Sequence, residues 1–119
     1  MYKRQVFTAA GWAYSSDLAH AAQECADAGS HIISMSLGGD RKNRTEQRKF
    51  NDLDAAGILS IAAAGNDGNS RHSYPASYDS VVSVAALDAN EQVASFSQFT
   101  SQVEMGAPCL LYTSPSPRD

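Results

Sequence analysis

Two cysteines, Cys25 and Cys109, are the entire thiol content of this chain. They are too few for a disulfide framework, and neither stands in a Cys-x-x-Cys or comparable ligand spacing. Disulfide-stapled and zinc-stapled folds are therefore excluded, and the redox compartment is left open. Long apolar runs are lacking as well. The longest, such as Ile58 to Ala64, fall far short of the ~20 residues that cross a bilayer, so neither a transmembrane helix nor a membrane partner is expected. Positive charge is in deficit, with 9 Lys and Arg against 13 Asp and Glu and a net charge of -4. That balance offers no electrostatic footprint for nucleic acid, which is not expected as a partner. No internal repeat is visible, and Met1 to Gln5 lack the apolar stretch of a secretory signal. What is present suits one small globular domain: 119 residues, of which 43% are hydrophobic.

After Gly11, the stretch SSDLAHAAQECADAG predicts a helix. Ser15 or Ser16 can cap it, Asp17 suits the positive end of its dipole, Leu18, Ala22 and Cys25 share a face, and Gly29 closes it. HIISMS follows as a short strand ending in the turn Leu37-Gly38-Gly39. A second helix is expected from Asn43 or Thr45 to Ala56, with Phe50 and Leu53 on its apolar face and Gly57 as the stop. ILSIAAA, residues 58–64, is a second strand, continuously apolar as in strands covered on both faces. SVVSVAAL, QVASFS and QVEMGA supply further strand candidates. Helix, strand, helix, strand is the pattern of an α/β fold, a parallel sheet with crossover helices.

In such sheets ligands bind outside the carboxyl ends of the strands. Ser36-Leu37-Gly38-Gly39 and Ala64-Gly65-Asn66 both fall at carboxyl ends, so if the two strands are neighbours both turns share one rim. Glycines there admit another backbone, and Asn66 adds a side-chain donor. Taken alone, Asn66 reads as a turn former, because Asn tolerates positive φ and bonds its own backbone. His72 stands near Asp67 and Asp79, but no serine sits on a strand-to-helix elbow with a base in reach, so a solvated loop histidine is the better reading. His20 and His31 read as surface or boundary residues. Arg41, Lys42, Arg44, Arg48 and Lys49 read as a solvated face, with a preference for acidic substrate residues as the alternative. The Gly-Gly turn lacks both G-x-G-x-x-G and G-x-x-x-x-G-K-[ST] spacing, which weakens a phosphate cradle.

The segments SMSLGG, GILSIAAAGNDG, SYPASYDSVVSVAALD and ASFSQF, in this order and spacing, resemble a subtilisin-like serine protease (subtilase, peptidase S8 family) over roughly Val6 to Pro108. The stretch from Gly11 to Gly39 is similar in particular to secreted subtilases of marine and other Gram-negative bacteria. The resemblance implies an incomplete three-layer α/β parallel sheet, with a partial peptidase domain over 6–108. It implies that Ser36, Leu37, Gly38 and Gly39 pair with an extended protein or peptide substrate. Ala63, Ala64 and Gly65 would wall the pocket for the residue before the scissile bond, with Ser73 near its floor after a cis Tyr74-Pro75 bond. Asn66 matches the side-chain donor of the oxyanion hole, where a prepositioned N–H stabilises the oxygen of a carbonyl turning tetrahedral. No cofactor is implied for the chemistry. The carbonyls of Ala76, Tyr78 and Val81 match a weak cation site, and a structural calcium is implied for the full-length domain.

The family's catalytic aspartate, His-Gly-Thr-His and Gly-Thr-Ser motifs do not occur in the chain, which therefore reads as an internal fragment of a catalytic domain, inactive by itself. MYKRQ and CLLYTSPSPRD read as translated sequencing-adaptor DNA, making 1–5 and 109–119 non-native ends and Cys109 spurious; a natural Pro/Ser linker is the alternative. The expected function is part of a secreted serine endopeptidase. A non-catalytic peptide-binding module of the same fold is the second expectation, and a small phosphate-binding domain the third.

Overall fold

The computed structural model describes residues 15–109, with side chains from residue 17 onward. Its elements are α1 (Ser15–Asp27), β1 (Ile32–Met35), α2 (Arg44–Ala55), β2 (Leu59–Ala63), β3 (Val81–Leu87) and β4 (Val103–Pro108). The strands form one sheet in the order β1-β2-β3-β4, with every neighbouring pair parallel. This is the expected parallel sheet with crossover helices. The capping role expected of Ser15 or Ser16, and the segments 1–5 and 110–119, lie outside the described residues.

Local chemistry sets the helix ends. Asn43, extended at φ -134 and ψ 132, accepts from the Glu46 N–H at 3.0 Å and so satisfies one of the orphan donors that begin α2. Both helices stop where glycine permits a left-handed backbone, at Gly29 (φ 91) and Gly57 (φ 83). Beyond Gly57 the Ile58 N–H reaches back to the Leu53 carbonyl at 2.9 Å, and both residues pack on the core.

Leu18 and Ala22 of α1 and Phe50 and Leu53 of α2 share a buried cluster with Ile33, Met35, Ala62 and Val81 of the sheet. Both helices therefore cover the same sheet face. The continuous apolar character of 58–64 anticipated cover on both faces, and among the described residues only one has it: Ser60 and Ala62 are buried, whereas Leu59 is 41% exposed and its β1 partner Ile32 is 60% exposed.

QVASFS, expected as a strand, is not one. Apart from an isolated bridge between Leu87 and Val93, its backbone bonds are irregular: Ala94 N–H donates to the Ala86 carbonyl, and the Phe96 carbonyl accepts from Gly68 N–H. Composition alone could not reveal that the segment's partners are divided between the end of β3 and the loop after β2. Between β3 and β4 the register skips Glu104, whose carboxylate accepts from the Ser83 N–H at 2.6 Å and replaces the missing ladder acceptor.

Tyr78, 1% exposed, links the Ser73–Tyr78 turn to the start of α2. Its hydroxyl accepts from Asn43 N–H at 3.0 Å and shares its own hydrogen between Glu46 Oε1 at 3.0 Å and the Asn43 carbonyl at 3.2 Å. Its ring lies 6.1 Å from Phe50 and 4.9 Å from Tyr74. Burial, opposed by the Asn43 hydrogen bond and reinforced by the Glu46 carboxylate, raises the phenol well above its ordinary pKa of 10.0.

Two outcomes follow from these contacts. The exposed apolar sheet face should make the chain self-associate, and replacing Ile32 and Leu59 with lysine should reduce that association in sedimentation velocity; unchanged association would place the sticky surface elsewhere. Tyr78→Phe should lower stability to urea by about 1–3 kcal/mol through loss of the shared hydroxyl. The native state holds the Tyr78 proton more tightly than the unfolded chain. Its contribution is therefore complete below about pH 10 and is lost as pH rises above that value, and the variant should show a shallower alkaline decline.

Candidate functional site

Parallel pairing puts Met35 opposite Ala62, so the chain leaves β1 at Ser36 and β2 at Ala64 on the same rim. From there both turns contribute to the lining of an open cavity of about 700 Å³. Ser36, Leu37, Gly38 and Gly39 line it, as do Ala63, Gly65, Asn66 and Ser73. Of the residues selected from sequence, Ala64 alone is absent from this lining. It is 2% exposed and faces an adjoining hollow of about 270 Å³, together with Ser34, Ile61 and Val84.

The wall and the floor are joined by backbone. Gly39 and Tyr74 form an antiparallel bridge, Gly39 N–H to the Tyr74 carbonyl at 2.9 Å and Tyr74 N–H to the Gly39 carbonyl at 2.8 Å. Gly38 packs so closely on Ser73 that a Cβ would fall 2.6 Å from its Oγ, which explains glycine there. The Tyr74-Pro75 bond is cis, as expected. It lies in a turn of which Ser73 lines the cavity, while Pro75 to Tyr78 are buried.

Asn66 is exposed at the carboxyl end of β2, directly after Gly65, whose φ of 119 turns the chain out of the strand. Asp40, Asp67, Arg71 and His72 add charged or ionisable groups to the cavity lining. Gln98, 2% exposed, also lines it and was missed from sequence. It lies about thirty residues along the chain from the loop it supports, one residue beyond the strand candidate QVASFS; the segment ASFSQF that carries the resemblance contains it, but nothing local assigns it a role.

The histidines stand as expected. His20 and His31 are exposed, and His20 Nε2 lies 3.2 Å from Glu24 Oε1 on α1. His72 is exposed and its Nδ1 is 3.2 Å from Ser77 Oγ, but Ser77 is 7% exposed and does not line the cavity. A nucleophile there would face no substrate. Among the described residues no group of three His, Cys, Asp or Glu side chains could hold a metal ion. The carbonyls of Ala76, Tyr78 and Val81, matched by resemblance to a weak cation site, supply three neutral oxygens, fewer than calcium needs, and that of Tyr78 also accepts from Val81 N–H at 3.0 Å. Calcium takes roughly six to eight oxygens, usually with carboxylates among them. No described helix is long and apolar enough to cross a membrane.

Comparison with known proteins identifies the family of this fold. The model of the subtilase family (Peptidase S8) matches residues 3–114. A halolysin-like extracellular serine protease, Nep, of Natrialba magadii is 45% identical over 78% of this chain and 17% of its own length. A thermostable alkaline protease of Halalkalibacterium halodurans is 46% identical over 66% of this chain and 22% of its own. Among solved structures, the psychrophilic subtilisin-like protease Apa1 from the Antarctic Pseudoalteromonas sp. AS-11 superimposes with a TM-score of 0.81 at 51% identity, covering 87% of this chain and 24% of that one. The chain belongs to the subtilase family, whose members are serine endopeptidases. It spans well under half the length of these relatives.

Gly65 offers a direct test of the rim's geometry. Its backbone is left-handed, and an added Cβ would meet the Gln98 amide, 2.6 Å from Cδ. Gly65→Ala should therefore cost on the order of 1–3 kcal/mol in urea unfolding; a neutral result would mean that the loop readily gives way.

Proposed function

We propose that this chain supplies the oxyanion donor and the substrate cleft of a secreted serine endopeptidase, within a catalytic domain longer than the segment itself. The observation that carries the reading is the position of Asn66. It stands at a strand's carboxyl end, on a cavity that Ser36 to Gly39 also line. A protein or peptide substrate lies extended along Ser36 to Gly39, contributing main-chain hydrogen bonds as an added strand does. The side chain before the scissile bond enters between Ser36–Gly39 and Ala63–Gly65, towards Ser73. When a nucleophile adds to the scissile carbonyl, its oxygen becomes an anion, and the Asn66 amide N–H stabilises it from a fixed position. The serine nucleophile and its histidine–aspartate partners belong to the remainder of the domain, and the chemistry uses no cofactor. Secretion is part of the same proposal, supported by the extracellular character stated for the Natrialba relative.

A non-catalytic peptide-binding module is the second reading, favoured by one feature: β1 is the outer strand of the described sheet, with its rim continuing into Ser36. In that case a peptide binds without being cleaved.

In the complete protease domain, Asn66→Leu keeps a similar volume and removes the amide N–H. We expect kcat on a short peptide amide to fall by about 10²–10³ with little change in KM, the loss known for removal of such a donor in a subtilisin. A raised KM with kcat intact would make Asn66 a binding or turn residue. Peptide binding without turnover by the unsubstituted domain would favour the second reading.

A further inference from the structure

Asn66 can stabilise an oxyanion only if its backbone is held still, and bonds on both sides of it converge on one residue, through its backbone and its side chain. The Gln98 N–H donates to the Gly65 carbonyl at 3.1 Å, immediately before Asn66. The Gln98 Oε1 accepts from the Asp67 N–H at 3.1 Å, immediately after it. The Gln98 Nε2 then donates to the Arg71 carbonyl at 3.1 Å, at the far end of the same loop. Neighbouring backbone bonds, Gly68 N–H to the Phe96 carbonyl at 2.8 Å and Phe99 N–H to the Asn69 carbonyl at 3.1 Å, continue the seam. Gln98 is itself anchored to the sheet. Ser97 Oγ accepts from the Ala86 N–H of β3 at 2.9 Å and donates to the Gln98 carbonyl at 3.2 Å.

A glutamine that is 2% exposed is costly to bury unless its amide is satisfied, and here both ends of the amide are bonded to the Asn66 loop. The geometry points to Gln98 as a positioning residue for the oxyanion donor: it brackets Asn66 on both sides and transmits the rigidity of β3 to it. This inference rests on the oxyanion role proposed for Asn66. Gln98 lines the cavity, but its side-chain bonds go to the Asn66 loop rather than to the reacting atoms, so its effect is expected to pass through Asn66. Glycine at 65 belongs to the same arrangement, because any side chain there would displace the Gln98 amide.

A double-mutant cycle in the complete protease domain tests the inference, with kcat expressed per active site titrated by an irreversible serine-directed inhibitor. Gln98→Met keeps approximate length and removes both side-chain bonds. We expect kcat to fall about tenfold or more, since small misplacement of a catalytic group is expensive, with KM within about twofold. Gln98→Glu keeps an acceptor for Asp67 N–H and should lose less; it also serves the cycle if the methionine variant does not fold. Adding either change to Asn66→Leu should cost nothing further, because the group being positioned is already gone. A loss from Gln98→Met that adds in full to that of Asn66→Leu, or a lowered melting temperature with kcat per site unchanged, would make Gln98 merely structural and overturn the inference while leaving the oxyanion reading intact. If Asn66→Leu alone leaves kcat unchanged, the oxyanion reading fails and takes the inference with it.

Discussion

The parallel pairing of β1 with β2 is the constraint on which the rest of this structure depends. Side by side and running the same way, the strands must release their chains on one rim, and both turns that line the cavity begin there. An antiparallel pair would have sent them to opposite ends of the sheet. The proposed chemistry concerns this rim: a strand-like wall for an extended backbone, and a donor at a strand tip.

The cleft is held by polar contacts reaching across long stretches of sequence rather than by a large core around it. The Gly39–Tyr74 bridge joins wall to floor, and the Tyr78 hydroxyl ties the turn behind that floor to the start of α2. Gln98 joins the Asn66 loop to a segment anchored on β3. Each contact satisfies a group that burial would otherwise penalise, so packing and positioning share the same atoms. The two glycines that matter most, Gly38 and Gly65, stand where a neighbouring side chain occupies the space a Cβ would need.

The sheet's second face tells a different story. Ile32, Leu59 and Met105 stand open there, although β2 reads as an interior strand. A sequence suited to cover on both sides, with described residues supplying it on one, agrees with a segment spanning only 17% and 22% of its relatives from Natrialba and Halalkalibacterium.

Much of the architecture was legible in the residues. Helix caps and glycine stops bounded α1 and α2 to within a residue or two, and β-rich runs marked β1, β2, β3 and β4, because these signals are local: periodicity, capping and turn chemistry act over a few neighbours. The order of SMSLGG, AAAGNDG and SYPAS was enough to nominate Ser36 to Gly39, Asn66 and Ser73. Three things were not local, and only the tertiary structure decided them. Ala64 turns away from the cavity its neighbours line, because successive residues of a strand face opposite sides and the cavity takes one. QVASFS forms no strand, since its partners are the loop after β2 and the end of β3. Gln98 gains its place beside Asn66 by folding alone, because a hydrogen bond across such a separation leaves no period or spacing in the chain.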